Sequence, residues 1–89
     1  MGEHMKTFTF TALSPEGVLF EGEVYSVLLR SSEGDMAVYS GHIPLAAVCP
    51  GKFVLTKSDG EKQEGITEGG ILIVEKEKTT LLSSSIKLK

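Results

Sequence analysis

Turn-forming residues interrupt this chain about every 8 to 12 residues, and this spacing limits the fold more than any other feature of the sequence. The turn signals lie at residues 14–17, 58–61 and 69–70, and they are rich in Gly, Pro, Asp and Ser. No segment between turns has the roughly 10 to 12 residues of i, i+3, i+4 apolar spacing that an amphipathic helix needs. The spacing therefore predicts an all-β domain, a flattened β-sandwich or barrel of about ten short strands.

Side-chain alternation predicts which face of each strand is buried. Residues 6–13 alternate between apolar side chains and threonines, with Phe8, Phe10 and Ala12 on the predicted inner face. Residues 21–23 are expected to interrupt the next strand as a bulge. The continuous apolar run at residues 71–74 predicts a strand that is buried on both faces.

Length and composition exclude several classes of protein. The chain has 89 residues, which suits one domain, and its formal charge is -3, with 9 basic and 12 acidic residues interspersed. It lacks the basic stripe that a phosphate backbone needs, so nucleic acid is not an expected partner. A single cysteine, Cys49, excludes an internal disulfide and a cysteine-rich zinc site, and we expect it to be a small buried apolar residue. No apolar run reaches the roughly 18 to 20 residues that span a bilayer, and no secretory signal is seen, so we expect a soluble chain in a reducing compartment.

The domain itself is expected to occupy residues 5–89. Residues 1–4 precede a second methionine, Met5, at which the first predicted strand begins. We expect these four residues to be a leader left by cloning, with no part in the fold.

Polar side chains are concentrated around one short predicted strand at Met36–Tyr39. The turn before it carries Glu33 and Asp35 on either side of Gly34, which can take the positive φ that other residues resist. The turn after it carries His42. Either turn can be simply a solvated connection, or the pair can form a working end of the domain. A metal site or a hydrolase built from these three polar residues is possible in geometry, but no ligand spacing or nucleophile motif supports it.

Several short motifs occur in a fixed order along nearly the whole chain. They are Ser-Pro-Glu at 14–16, Leu-Phe-Glu-Gly-Glu-Val at 19–24, Ser-Glu-Gly-Asp at 32–35, Ser-Gly-His-Ile-Pro-Leu at 40–45, Pro-Gly at 50–51 and Gly-Gly-Ile-Leu at 69–72. In this order the motifs resemble the N-terminal domain of the epsilon subunit of F-type ATP synthases. The flattened ten-stranded sandwich of that family agrees with the strand pattern described above.

The resemblance implies a non-catalytic subunit of the central rotor stalk, without a cofactor or metal, that helps to couple proton translocation to ATP synthesis. Its expected partners are the gamma subunit and the ring of membrane c subunits, on the cytoplasmic face of a bacterial inner membrane or the stromal side of a plastid thylakoid. Glu33 and Asp35 would face the c ring, and Ser14 and His42 would lie near gamma. The full set of expected interface residues is Ser14, Glu33, Asp35, Ser40, Gly41 and His42.

The chain also departs from the family pattern. Ala37 stands where the family usually has Gly, and Ser40 where it usually has Pro. Members commonly continue into a C-terminal pair of helices that inhibit ATP hydrolysis and in some cases bind ATP. This sequence ends just after its last predicted strand, so inhibition of ATP hydrolysis and ATP binding are not expected of it.

Two other functions differ from the rotor role in what they require of the structure. A free-standing sandwich that binds a small molecule needs convergent polar groups inside an apolar cavity. A hydrolase that uses His42 with Asp35 and Glu33 needs a histidine with a perturbed pKa in a cleft. The rotor role instead predicts an exposed His42 at a convex end and an apolar or tyrosine-bearing flank left uncovered.

Overall fold

The computed structural model describes residues 6–30, 34–41, 44–49 and 51–89. These residues contain nine β-strands and no helix. The strands are β1 (Phe8–Ser14), β2 (Gly17–Leu29), β3 (Met36–Tyr39), β4 (Leu45–Cys49), β5 (Lys52–Lys57), β6 (Lys62–Thr67), β7 (Gly70–Val74), β8 (Lys78–Leu82) and β9 (Ile86–Leu88).

The nine strands form one continuous sheet in the order β4-β7-β8-β1-β2-β5-β6-β9, with β3 paired to β2. Every pairing is antiparallel except that of β1 with β8. We call β4, β7, β8, β1 and the first half of β2 the first layer, and the second half of β2 with β3, β5, β6 and β9 the second layer. The rings of Phe10 in the first layer and Phe53 in the second lie 6.3 Å apart between their centroids. The sheet thus folds over itself, which confirms the predicted β-sandwich.

Strand β2 runs through both layers, and the predicted interruption at residues 21–23 is wrong. Residues 17–29 form one unbroken strand. The irregularities lie on either side of the predicted position, where Leu19 is the extra residue opposite β1 and Tyr25 the extra residue opposite β5. An extra residue shifts the two-residue alternation by one, so Val24 faces the core before Tyr25 and Val27 faces it afterwards.

The core lies between the layers and matches the alternation of β1. Phe8, Phe10 and Ala12 are buried, as predicted. The prediction for residues 71–74 is wrong, because Leu72 and Val74 are buried while Ile71 is exposed and Ile73 is only partly buried. An apolar run can thus form a strand with one covered face, since periodicity alone cannot separate that case from a strand buried on both faces.

Glycine positions shape two different parts of the fold. Gly34 and Gly60 have φ values of 127° and 90°, as the turn chemistry predicts. Gly65 is needed for another reason, because it lies directly opposite Phe53 and the ring covers it. A Cβ atom on Gly65 would lie 2.3 Å from the Phe53 Cζ atom. Phe53 can therefore keep its place in the core only if residue 65 has no side chain.

We expect Gly65→Ala to destabilise the domain by about 2 to 3 kcal/mol, because the added methyl group would displace the Phe53 ring from a packed core. Urea unfolding measures the change. Gly22→Ala is the matched control in another strand, since its Cβ would meet Phe20 at an ordinary 3.5 Å. Equal unfolding free energies for the two variants would contradict this account of Gly65.

Candidate functional site

A row of apolar side chains crosses the outer face of the first layer. In the strand register Val48 of β4 lies opposite Ile71 of β7, and Ile71 lies opposite Leu82 of β8. Leu82 is in turn aligned with Leu13 of β1, which lies opposite Val18 of β2. Directly paired residues share a face of the sheet, so these five side chains form one line. We call this line the apolar row.

The apolar row is exposed to solvent. The exposed fractions are 67% for Val48, 48% for Ile71, 37% for Leu82 and 55% for Val18, and Leu13 is partly buried. Neighbouring strands are spaced about 4.8 Å apart, so a line across five strands is about 19 Å long. Single exposed apolar side chains are normal on a protein surface, but a contiguous line of this length is typical of a surface that another molecule covers.

An open groove of 440 Å³ lies beside the apolar row, where β1 and β8 end. Residues from three neighbouring turns and strand ends form its walls. They are Leu13, Ser14, Pro15, Gly69, Ile71, Leu82, Ser83 and Ser84.

The Ser14 and Ser83 hydroxyls at this groove are engaged within the chain. The Ser14 hydroxyl is within hydrogen-bonding distance of the Glu16 carboxylate, at 3.2 Å, and of the Gly17 carbonyl, at 3.4 Å. The buried Thr67 hydroxyl donates to Ser83 Oγ at 2.5 Å, and Ser83 Oγ donates to the Ser85 carbonyl at 3.1 Å. These bonds fix the groove walls but direct few free polar groups into the groove, so its chemistry is mainly apolar.

The other end of the same outer face is polar. Glu23 accepts hydrogen bonds from the Thr7 and Thr9 hydroxyls at 2.8 and 2.7 Å, and Thr11 donates to Glu21 at 3.2 Å. The bonds from Thr9 and then Thr7 hold the pKa of the Glu23 carboxyl below its ordinary value of 4.5. The outer face thus changes from apolar to polar along the strands.

We expect Thr9→Val to raise the pKa of Glu23, because it removes the hydrogen bond that lowers this pKa the most. An NMR titration of the Glu23 side-chain carboxyl carbon measures this shift. In the wild type the folded pKa lies below the unfolded one, so the stability from these bonds is present above about pH 4.5 and is lost as the pH falls through the folded pKa. Thr11→Val is the control, since Thr11 bonds to Glu21, and an equal shift of Glu23 in both variants would refute the assignment.

The predicted interface residues fall at different places on the sandwich. Ser14 ends β1 and lines the groove beside the apolar row. Asp35 comes just before β3, where its carboxylate lies 3.8 Å from the Arg30 guanidinium. Ser40 and Gly41 form the turn that follows β3. Glu33 and His42 lie outside the described residues.

Ser14 and Asp35 lie near opposite ends of β2. Ser14 pairs with Gly17 at the start of that strand, and Asp35 precedes Met36, which pairs with Leu29 at its end. Thirteen extended residues reach at most about 40 Å when straight, and the longest dimension of the domain is 36 Å, so β2 runs along much of the domain. Ser14 and Asp35 thus do not belong to one cluster, and the two ends of β2 can face different partners.

Sequence reasoning did not identify the residues of the apolar row. It did predict an uncovered apolar or tyrosine-bearing flank, and the row and the exposed Tyr39 match that expectation. The row is recognised only from the register between strands, and this register depends on pairing between segments that are distant in sequence. Among the described residues, no group of three or more His, Cys, Asp or Glu could hold a metal ion, and no helix could span a bilayer.

Fold and surface together define a β-sandwich domain whose main surface feature is an uncovered apolar face. Residues 7–89 match the family described as the ATP synthase delta/epsilon chain, beta-sandwich domain. The ATP synthase epsilon chain of Dichelobacter nodosus is 38% identical over 77 residues, and that of Bacillus thuringiensis is 36% identical over 81 residues. The chain therefore belongs to the ATP synthase delta/epsilon family.

The matched regions cover most of this chain but only part of its relatives. They span 85% and 91% of this chain, but 54% and 61% of the two epsilon chains. The same fold occurs in the Euglena gracilis mitochondrial ATP synthase, with a TM-score of 0.82 at 19% identity over 92% of this chain and 53% of the other. It also occurs in the central stalk and c-ring structure of the Tetrahymena thermophila mitochondrial enzyme, with a TM-score of 0.71 at 12% identity over 92% and 66%.

Proposed function

We propose that this chain is the β-sandwich part of a non-catalytic central-stalk subunit of an F-type ATP synthase, which binds the gamma subunit and the c ring. In this role it helps to couple proton translocation to ATP synthesis from the cytoplasmic face of a bacterial membrane or the stromal side of a thylakoid. The family membership supports the assembly. The observation that carries the proposal is the apolar row, which gives a rigid sandwich a surface for a permanent partner.

The apolar row is the surface that we assign to gamma. A specific interface removes roughly 1,200 to 2,000 Å² in total, and a small domain can supply its share only by using much of one sheet face. The row crosses the whole width of the first layer, and Ser14, expected near gamma, lies at the groove beside it. Apolar side chains on a sheet are held rigidly, so little conformational entropy is lost when gamma covers them.

The segment before β3 is the region that we assign to the c ring. Asp35 is about half exposed, and its ion pair with Arg30 at 3.8 Å is of the surface kind that contributes at most about 1 kcal/mol. The carboxylate is thus available to a partner at little cost. We also assign Glu33 to the c ring and His42, with Ser40 and Gly41, to the gamma side.

A small-molecule binding module is the second candidate, and the groove is the feature that could serve it. The groove is open, and the Ser14 and Ser83 hydroxyls on its walls already have partners within the chain. A ligand would therefore meet apolar side chains with few polar groups to orient it, which suits a protein surface better.

We expect Ile71→Lys to weaken binding to the cognate gamma subunit by about 30-fold or more, because it places a charge inside the apolar row, between Val48 and Leu82. Calorimetry measures the affinity, and native mass spectrometry measures the stoichiometry, expected to be one to one. Ile66→Lys is the matched control, since Ile66 is an exposed β-branched residue of the second layer. An equal loss of gamma affinity in both variants would contradict the assignment of the row to gamma. If the wild type does not bind gamma at micromolar concentrations, the proposed function is wrong.

We expect Glu33→Lys and Asp35→Lys to leave the affinity for gamma unchanged but to lower coupled proton pumping in the reconstituted ATP synthase. The reason is that a reversed charge would repel the c-ring loops that the carboxylates contact. His42→Ala, in contrast, is expected to weaken gamma binding. Proton pumping driven by ATP hydrolysis in vesicles measures the effect of Glu33→Lys and Asp35→Lys. If these two variants lose affinity for gamma, the carboxylates contact gamma and not the c ring.

A further inference from the structure

We infer that the outer edge of β4 accepts an extended segment of the partner, which adds a strand to the first layer. This inference rests on the proposed function, since the partner is the protein that covers the apolar row. The segment would be one whose alternate side chains are apolar, and it would bind through backbone hydrogen bonds along residues 45–49.

The ends of the sheet differ in how far they are protected from strand addition. Among the described strands β4 pairs with β7 alone, and β9 pairs with β6 alone, so each is an edge. Strand β9 has only three residues, and Lys87 lies at its centre with Lys89 just beyond it. Short length and lysines are the usual means by which proteins block strand addition.

Strand β4 has neither form of protection. Its five residues, Leu-Ala-Ala-Val-Cys, carry no charge and no proline within the strand. Strand β3, which pairs with β2, is one residue shorter than β4, and it begins beside Asp35, which is ion-paired with Arg30. An uncharged five-residue edge is unusual for a protein that works alone, because it offers a row of free backbone groups to any extended chain.

The edge of β4 is also continuous with the apolar row. Val48 is the last member of the row on this side, and among the described residues it is the most exposed of the large apolar side chains. A strand added beside β4 would place one side chain next to Val48 and so extend the row onto the partner. One partner could thus bind through the sheet face and through the edge at the same time.

Charges around the row restrict the kind of segment that fits. Glu16 and Glu68 are exposed in the turns at the Val48 end of the strands, and Glu21 lies in the next row of the outer face. In the described turns at that end, at residues 15–16, 51, 68–69 and 83–85, there is no Lys or Arg, and Lys52, which follows at the start of β5, is paired with Glu64 at 3.5 Å. The segment is therefore expected to carry basic rather than acidic residues beside its apolar ones.

Amide hydrogen exchange of the chain, followed by NMR with and without the cognate gamma subunit, tests this inference. In an antiparallel strand alternate N–H groups point to opposite edges, so either residues 46 and 48 or residues 45, 47 and 49 have N–H groups at the free edge of β4. The set bonded to β7 exchanges slowly already in the free chain, so we expect the other set, which exchanges faster there, to exchange at least tenfold more slowly in the complex. The amides of β9 serve as the control and are expected to keep their rates.

Each outcome decides between the two proposals. If gamma binds and the β4 amides keep their rates, strand addition is wrong while the proposed function stands. If gamma does not bind, the proposed function fails first and the inference fails with it. If the β4 amides become protected in the chain alone as its concentration rises, the occupant is a second copy, and the assignment to gamma is overturned.

Discussion

The long strand β2 is the constraint on which the rest of the structure depends. It is the only strand shared by the two layers as we divide the described sheet, so its register with β1 and with β5 sets how the layers face each other. The extra residue at Tyr25 changes which side chains point inward, from Phe20 and Val24 in the first layer to Val27 and Leu29 in the second. Without that shift one half of β2 would turn its apolar side chains to solvent.

The outer surface of the first layer follows from the same register. Once Ala12 and Leu81 pair on the inner face, their neighbours Leu13 and Leu82 must pair on the outer face. The apolar row is thus a direct result of pairing among β4, β7, β8, β1 and β2, although no short segment of the sequence contains it. A small domain gains limited stability from its own core, and a partner that covers this row would add to it.

Much of the fold could be predicted from alternation and turn chemistry. The inward faces of β1 and β5, the short strand at Met36–Tyr39 and the positive φ of Gly34 all follow from local patterns. The continuity of β2 and the exposure of Ile71 could not be predicted in this way, because both depend on which distant strand lies alongside. The same is true of the candidate site. The polar turns are indicated by the sequence, whereas the apolar row is seen only from the pairing register of distant strands.

A structure of the complex with the cognate gamma subunit tests the central claim most directly, because it shows which face of the sandwich the partner covers. The account predicts that Val48, Ile71 and Leu82 become buried against gamma while the outer face of the second layer stays exposed. A complex in which gamma covers the second layer and leaves the apolar row in solvent would contradict it.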